Sequence, residues 1–363
     1  MRVGYMGNIE HQNTRVWLEE MAARGVEPVA ICETAPSWDV EWAPLRVEPP
    51  RVRGLGLGRL SITRNLAAIC RDRRLDILHN HQANRHAMWA RSSGFRPRVI
   101  TCWGSDVLLI GEKTREVRAG VRRALSSADA VTVGSHHLLE AAVAAGARRD
   151  RCVLVGWGVD TERFQRDETA RARIRTEWGF EERIVVLSNR MLKPLYRVDA
   201  IVRAFAIARA ASPALALVIA GSGPEEEHLR TLSVELGVAD DVRFIGLVTR
   251  DAWPLMTDVL SGADAYCSVP YSDGGPLSVL EAMSMELPIV ASDVPVMREW
   301  LIPDKSGILW DGLDEEGLAS HILTVASVGD TMGARGRAFV VSHHDRALEM
   351  DRVKGMYERL LPR

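Results

Sequence analysis

The chain has 363 residues, more than one hydrophobic core normally organises, so two domains are expected. Its 48 acidic and 46 basic residues nearly cancel, which argues against nucleic acid as a partner because no overall field would attract it. Five scattered cysteines without a CxxC pair, and no apolar stretch near the roughly 20 residues that span a bilayer, predict a cytoplasmic protein that is neither secreted nor membrane-spanning.

The first half of the chain alternates short apolar runs with helical patterns. Apolar runs of this kind are typical of strands buried on both faces of a parallel sheet. A helical pattern at Thr14–Arg24 separates the first two of them. The alternation predicts a doubly wound parallel sheet. The predicted strands are Arg2–Met6, Glu27–Cys32, Ile77–His79, Arg98–Thr101 and Ala130–Val133.

Residues 51–74 carry seven arginines and one acid, with glycines early and a helical pattern late. Such a charge run is usually a solvated face of the protein. Docking on a membrane surface is the alternative, and it would place the protein peripherally at the inner face of the membrane.

The second half repeats the alternation after a polar stretch at 157–180, which interrupts the strand rhythm and predicts a hinge at 160–170. A second Rossmann-like domain follows from this repeat. Its predicted strands and helices include Ile184–Ser188, Asp199–Ala211, Leu215–Ala220, Glu225–Leu236 and Val242–Phe244. The predicted domains are 1–165 and 166–345, and residues 346–363 are predicted to form a helix that packs across a domain surface.

Residues 263–293 predict a strand, a helix and a strand, with Asp273 and Glu281 on either side of a Gly-Gly-Pro turn. Gly274 and Gly275 lack the side chains that would keep a ligand from the backbone, and Pro276 suits the first helical position. The free N–H groups there, next to Leu277, favour a bound phosphate. The elements are Ala263–Val269, Leu277–Met285 and Leu287–Ala291.

Glu281 lies one helical turn further on, and its side chain leans back toward the helix start. A carboxylate beside a phosphate needs a neutral donor, and the diol of a ribose is a natural one. The two features together predict a nucleoside diphosphate ligand. The alternative is an ordinary turn in which Asp273 caps a helix and Glu281 is a solvated acid.

Six motifs, in their order and spacing, resemble those of the family-four retaining glycosyltransferases, also called glycosyl transferases group 1. The resemblance implies the GT-B fold, with two Rossmann-like domains facing a central cleft. It also implies transfer of a sugar from a nucleoside diphosphate sugar to an acceptor hydroxyl, with retention of configuration. The motifs are WGSD at 103–106, WGVDTERF at 157–164, NRMLKPLY at 189–196, IAGSGPEE at 219–226, VRFIGLV at 242–248 and DGGPLSVLEAM at 273–283.

The resemblance assigns roles to the acids and to one base of the donor domain. Asp273 stands where the family has the first of two glutamates, at the donor sugar, and Glu281 stands where the second holds the ribose. Arg190 matches the arginine that binds phosphate, for which a planar, permanently charged fork is suited. The usual spacing puts the second phosphate-binding base at Tyr196, so Lys193 is preferred over Arg197.

The resemblance also assigns residues around the cleft. Many relatives have a histidine next to the donor sugar where this chain has Trp103, which would supply an apolar or stacking wall instead. Asp106 either accepts a hydrogen bond from a ligand hydroxyl or caps the next helix. His79 is expected to be structural. Gly7 is expected close to both the diphosphate and the acceptor, and His81 is expected to orient either a phosphate or an acceptor hydroxyl. The remaining expected residues are His11 and Asn13 on the acceptor side, and Gly221, Gly246, Leu247 and Val248 on the donor side.

Three other interpretations compete. The GSGPEE at 221–226 is similar to a dinucleotide fingerprint, but Glu226 takes the third glycine position and no acid follows for a ribose, which argues against a dehydrogenase. A nucleotide-sugar epimerase of the same fold and an inactive nucleotide-sugar-binding subunit stay open. The resemblance implies catalysis without a metal, and no pair with metal-ligand spacing accompanies His79 and His81, so no metal and no cofactor are expected.

Overall fold

The computed structural model describes residues 1–47, 57–249, 255–301, 306–328 and 331–362. The chain divides into two compact units, of which the first comprises Met1–Trp157 with Ala347–Arg363 and the second comprises Gly158–Arg346. The predicted boundary after residue 165 lies inside the second unit. The C-terminal helix belongs to the first unit, together with the start of the chain.

The first unit is built on a sheet of seven parallel strands in the order β3-β2-β1-β4-β5-β6-β7. The switch between β1 and β4 is the point where the strand order reverses, which is where α/β proteins place their binding residues. The strands are β1 Arg2–Met6, β2 Glu27–Cys32, β3 Trp42–Pro44, β4 Ile77–His81, β5 Arg98–Thr101, β6 Ala130–Val133 and β7 Cys152–Leu154.

Helices cover both faces of this sheet. One face packs against Trp17, Leu18 and Met21 of the first helix and against the C-terminal helix, and the other packs against Ile62 and Leu66 of the second helix. The helices are α1 Gln12–Ala23, α2 Leu57–Asp72, α3 Arg85–Ser92, α4 Ser105–Leu108, α5 Arg115–Ser126 and α6 His136–Ala144.

The second unit repeats the design with six parallel strands in the order β10-β9-β8-β11-β12-β13. Its strands are β8 Ile184–Ser188, β9 Leu215–Ile219, β10 Val242–Phe244, β11 Ala265–Ser268, β12 Ile289–Ser292 and β13 Gly307–Trp310. Its helices are α7 Glu168–Trp178, α8 Val198–Ala211, α9 Glu226–Glu235, α10 Met256–Ser261, α11 Leu277–Ser284, α12 Pro295–Trp300, α13 Glu315–Ser327 and α14 Thr331–His343, and α15 Arg346–Leu360 follows. The predicted pair of doubly wound parallel sheets is confirmed.

The structure differs from the sequence-based elements in a few places. The polar stretch assigned to a linker contains α7, whose side chains Ala170, Ile174 and Trp178 are buried and whose cap is Asp167. β4 continues to His81 because polar side chains at its carboxyl end are buried too. Pro276 precedes the first helical residue rather than occupying that position.

The arginine-rich segment 51–74 is only partly described. Residues 51–56 lie outside the described residues, and α2 provides the helical half. Arg64, Arg71 and Arg74 are exposed, as a solvated face requires, and Arg73 pairs with Glu41 at 3.0 Å. Membrane docking by this segment stays a prediction. Among the helices described, none combines the length and the apolar character that crossing a bilayer demands.

Candidate active site

The entry to α11 exposes backbone donors. Gly275 has φ +148°, and a Cβ there would come within 3.3 Å of the Trp300 ring, so both conformation and space favour glycine. In the described part of the chain, the backbone N–H groups of Leu277 and Ser278 have no acceptor. Open N–H groups and the positive end of a helix dipole together favour an anion.

Arg190 reaches this helix start from the end of β8. Its guanidinium forms an ion pair with Asp273 at 2.5 Å, donates to Oγ of Ser278 at 2.9 Å and lies over the Tyr196 ring at 4.4 Å. Burial alone lowers the pKa of Arg190, but the attraction of Asp273 and of the Tyr266 and Tyr196 phenols outweighs it, so the net pKa is raised. The structure therefore brings together Arg190 and Asp273, as expected for one donor site.

Close backbone packing positions the arginine. A Cβ on Gly221 would lie 2.1 Å from the carbonyl oxygen of Arg190, and one on Gly223 would lie 2.2 Å from that of Leu192. The Leu192 N–H donates to the Ser222 carbonyl at 3.0 Å, which fixes the two loops together. Gly221, predicted as a donor-binding residue, thus has a steric role beneath Arg190.

Glu281 lies on α11 one turn after Ser278, close enough to the Tyr266 phenol to influence its pKa. Among the described residues its partly buried carboxylate has no hydrogen-bond or ion-pair partner. Burial raises the pKa of Glu281 to about 7, although Arg346 and Arg163 pull it down. An unpaired carboxylate held in this way is ready to accept hydrogen bonds from a neutral ligand group.

The second phosphate-binding base is not fixed by the geometry. Lys193 is exposed, and its ammonium group has no hydrogen-bond or ion-pair partner among the described residues. Arg197 is engaged differently, because its guanidinium lies 4.6 Å from the Tyr271 ring and 4.4 Å from the Trp310 ring. Tyr196 stands at the position of the family's base, and its ring faces the Arg190 guanidinium. Lys193 is therefore the cation left available.

The loop after β10 was predicted to contact the donor base. Gly246 has φ +73°, Leu247 is 61% exposed, and Val248 packs against the core of the unit. β10 is the edge strand and pairs with β9. The loop after β10 and the loop after β9, which contains Gly221, therefore follow neighbouring strands. An exposed leucine beside a left-handed glycine is an available apolar surface, as a base would need.

The two histidines at the carboxyl end of β4, in the first unit, differ in their hydrogen bonding. Both ring nitrogens of His79 are bonded, Nδ1 to the Tyr357 hydroxyl and Nε2 to that of Thr101, each at 2.6 Å. His81 is completely buried, and neither of its ring nitrogens has a partner among the described residues. A Cβ on Gly7, which has φ +146°, would lie 2.9 Å from the His81 carbonyl oxygen. Gly7 thus brings the β1 loop against His81.

A row of aromatic rings lies beside these histidines. His11 accepts the Asn13 N–H at 3.2 Å, and its ring meets Trp103 edge-to-face at 4.8 Å between centroids. Trp103 contacts Trp157 at 4.9 Å, and Trp157 contacts Trp17 at 5.0 Å. The acceptor-side residues predicted from sequence are therefore brought together within the first unit.

The Asp106 side chain accepts hydrogen bonds from backbone N–H groups of the first unit. Its carboxylate accepts the N–H groups of Ala83 at 2.7 Å, Trp103 at 3.0 Å and Gly104 at 2.9 Å. Burial raises the pKa of Asp106, while these hydrogen bonds lower it. The carboxylate therefore holds the turns before α3 and α4 in place and so orients Trp103.

Sequence reasoning gave no role to four residues of these clusters: Ser278, Tyr266, Trp17 and Trp157. Trp157 is the first residue of the WGVDTERF motif and Trp17 lies in the first helix, but neither position reveals a ring contact between them. Tyr266 donates to Asn189 at 2.6 Å, which only the paired strands show. Throughout the described ranges, no group of three or more His, Cys, Asp or Glu side chains is arranged to hold a metal ion.

Comparisons with known proteins match both units. Residues 170–332 match the family model described as "Glycosyl transferases group 1", and residues 11–158 match that described as "Glycosyl transferase 4-like domain". A GDP-mannose-dependent alpha-(1-6)-phosphatidylinositol monomannoside mannosyltransferase from Mycolicibacterium smegmatis is 30% identical over 270 residues, which cover 72% of this chain and 68% of the relative.

Two further proteins match most of the chain. An N-acetyl-alpha-D-glucosaminyl L-malate synthase from Bacillus anthracis is 25% identical over 313 residues, 83% of this chain and 78% of the relative. The crystal structure of Anabaena HepE in complex with UDP-glucose superposes with a TM-score of 0.84 at 14% identity, covering 99% of this chain and 100% of that one. At that identity the likeness shows the fold alone.

Proposed function

Because the chain belongs to the group 1 glycosyltransferases of the GT-B fold and the GT4 type, we propose that it moves a sugar from a nucleoside diphosphate sugar to an acceptor hydroxyl, with retention of configuration. The predicted family, fold and glycosyltransferase activity are confirmed by these matches. The observation that carries the finer proposal is the arrangement at α11, with Arg190 fixed at the helix start and an unpaired Glu281 one turn further on.

In the proposed complex the diphosphate lies at the start of α11. The N–H groups of Leu277 and Ser278 have no acceptor among the described residues, and Arg190 adds a permanent positive charge. Lys193 is the nearby cation free to join them. These groups stabilise the negative charge that grows on the leaving diphosphate as the glycosidic bond breaks. Catalysis by this route uses protein cations and backbone dipoles, and we propose that it needs no metal.

Glu281 is assigned to the ribose. Two ribose hydroxyls can donate to its carboxylate, which would supply the hydrogen bonds that it lacks in the free protein. A phosphate in the same place would be repelled. The carboxylate thus orients the nucleoside so that the diphosphate meets Arg190.

Asp273 is assigned to the donor sugar. One of its oxygens accepts from Arg190 at 2.5 Å and the other from the Gly275 N–H at 3.2 Å. A carboxylate committed to two donors is a poor nucleophile, so a covalent glycosyl-enzyme on Asp273 is disfavoured. We therefore propose that the departing phosphate takes the acceptor proton on the same face of the sugar.

The acceptor is assigned to the first unit, near His11, Asn13 and His81. The relative from Mycolicibacterium is named for GDP-mannose and for a phosphatidylinositol mannoside, and the one from Bacillus is named for malate. Those names differ in both substrates, so the donor base and sugar are left to a screen.

The test begins with thermal-shift screening of the whole chain against UDP- and GDP-sugars. The stabilising donor is then incubated with an acceptor panel in EDTA, and products are identified by NMR, including the anomeric configuration. We expect a retained glycoside, formed without added metal, and little turnover by Arg190→Ala. An epimerised nucleotide sugar would establish the epimerase alternative, and donor binding without any product would establish the inactive binding subunit.

A further inference from the structure

His81 lies among aromatic rings in the first unit. Its ring is 5.2 Å from that of Trp17, 5.4 Å from that of Trp157 and 6.1 Å from that of Trp103, measured between centroids. His81 and Trp17 are fully buried, whereas Trp103, Trp157 and His11 are partly exposed. The five rings, called here the ring cluster, therefore have a buried base and an accessible rim.

The ring cluster contains polar atoms that the protein leaves unsatisfied. Three buried nitrogen atoms have no hydrogen-bond partner in the described structure: Nδ1 and Nε2 of His81 and the indole Nε1 of Trp103. Buried polar atoms nearly always have partners, so unsatisfied ones at a rim of exposed rings point to a ligand. His79, the neighbour on the same strand face, has both of its nitrogens bonded and shows that this sheet can satisfy a histidine.

The charged groups near the ring cluster favour an uncharged ligand over an anion. Among the described residues, no lysine or arginine takes part in a cation–π contact with any of the five rings, and the carboxylate of Asp106 lies against the Trp103 backbone at 3.0 Å. Burial, and then His11, lowers the pKa of His81 to about 3, so this ring is neutral at physiological pH. A phosphate or carboxylate would be repelled by the Asp106 carboxylate and would gain no charge from the neutral His81 ring.

We propose that the ring cluster binds the acceptor and that the acceptor presents an uncharged, hydroxyl-rich ring, a sugar or a cyclitol. The C–H face of such a ring packs on the exposed indoles of Trp103 and Trp157. Its hydroxyls supply the partners that His81 and the Trp103 N–H lack, since a hydroxyl both donates and accepts. The assignment rests on the proposed transferase function, and it narrows the acceptor class.

The first experiment compares neutral with anionic rings. The full chain, saturated with the donor nucleotide, is titrated with methyl glycosides of mannose, glucose and N-acetylglucosamine and with myo-inositol, followed by tryptophan fluorescence. Inositol phosphate and mannose 6-phosphate are titrated in parallel. At least one neutral ring should bind, at least about tenfold more tightly than its phosphorylated counterpart. Preference for a phosphate, or binding of no neutral ring, would overturn the proposal.

The second experiment uses variants of the rim. Trp103→Ala should raise the KM for the neutral acceptor at least about tenfold, and Trp103→Phe should raise it less because the stacking face remains. The donor KM should change less than the acceptor KM in both variants. Trp89→Ala is the matched control, since Trp89 is a partly buried tryptophan of the same unit that contacts His86 instead. Equal effects of Trp103→Ala and Trp89→Ala on the acceptor KM would refute the assignment.

The two experiments distinguish failure of the proposed transferase function from failure of the acceptor assignment. If no nucleotide sugar binds or is consumed by the unmodified chain, the proposed function itself is wrong. If the donor is consumed but sugar is transferred only to anionic or acyclic acceptors, the transferase proposal stands and the ring assignment alone is wrong.

Discussion

Glu281 is a carboxyl group held where its ionisation is unfavourable, because burial raises its pKa to about 7 and no described residue pairs with it. Ribose hydroxyls donate to the ionised form and lower the pKa in the complex. Affinity for a nucleoside diphosphate sugar should therefore rise about tenfold between about pH 6 and about pH 8 and level off above. Calorimetric titration over this range measures the effect, because the phosphates of the donor do not titrate near neutrality.

The matched control is Glu281→Gln, which should bind more weakly by about 1.5–3 kcal/mol at high pH and show a flat pH profile. A raised pKa in the folded state means that stability is lost as pH rises toward about 7. Glu281→Gln should accordingly be more stable than the parent above that pH and not below the ordinary pKa of glutamate. An unchanged slope of donor affinity with pH in the variant would contradict the assignment.

Asp273 and Arg190 form a largely buried ion pair in the candidate site, and each charge stabilises the other. The side chains are 13% and 10% exposed, so Asp273→Asn leaves a buried cation without its counter-ion, at a cost of up to about 3 kcal/mol in the free energy of unfolding. A nucleoside diphosphate restores negative charge beside Arg190. The variant should therefore be less stable when free and gain more stability from saturating nucleoside diphosphate than the parent gains.

Thermal unfolding with and without nucleotide tests this prediction. Asp293→Asn is the control, because Asp293 pairs with Arg298 at an exposed position where a salt bridge contributes little. The idea fails if nucleotide stabilises the Asp273→Asn variant no more than the parent or the control.

At the scale of elements, the loops after β8 and β9 act as one support for Arg190. Gly221→Ala would place a Cβ 2.1 Å from the Arg190 carbonyl oxygen, so the loops must separate, at a cost of about 1–3 kcal/mol in stability. Displacement of Arg190 should weaken donor binding about tenfold. Gly111→Ala should do neither, since Gly111 has nothing within 4 Å of its added Cβ. Equal donor affinity in the two variants, measured by calorimetry, would show that the loop does not position Arg190.

The elements also show what the sequence can predict. Buried central strands such as β1, β5 and β8 have the predicted bounds, because a continuous apolar run ends where burial ends. The three-residue edge strands β3 and β7 were not predicted, whereas β10, an edge strand of the same length, was predicted with its observed bounds. The helix α7 was missed because most of its surface is polar.

The candidate site likewise has features that the sequence predicts and features that only the fold shows. Asp273 and Glu281 could be predicted because both belong to one short segment whose spacing indicates a helix start. The ion pair of Asp273 with Arg190 spans 83 residues, and only the fold reveals it. The contact between Trp17 and Trp157 is likewise set by the sheet and leaves no local pattern.

At the scale of the whole molecule, the first unit is built from both ends of the chain. The spacing of Val353, Met356 and Tyr357 predicts a buried helix face but not which unit receives it. The structure places these side chains in the core that also contains Trp17 and Tyr5. The core of the first unit therefore combines side chains from widely separated parts of the sequence.

Tyr357 is the residue through which the effect of this packing can be measured. Its hydroxyl bonds Nδ1 of His79 at 2.6 Å and lies 3.2 Å from the Tyr5 hydroxyl and 3.5 Å from Nε1 of Trp17. Tyr357→Phe keeps the ring but leaves the buried His79 nitrogen without a partner, so the first unit should lose about 1–3 kcal/mol. Hydrogen exchange should accelerate in peptides from Met1–Trp157 and stay unchanged in those from Gly158–Arg346. Tyr271→Phe is the control, because the Tyr271 side chain is 67% exposed. Faster exchange in both units, or in neither, would mean that the C-terminal helix does not stabilise the first unit through this contact.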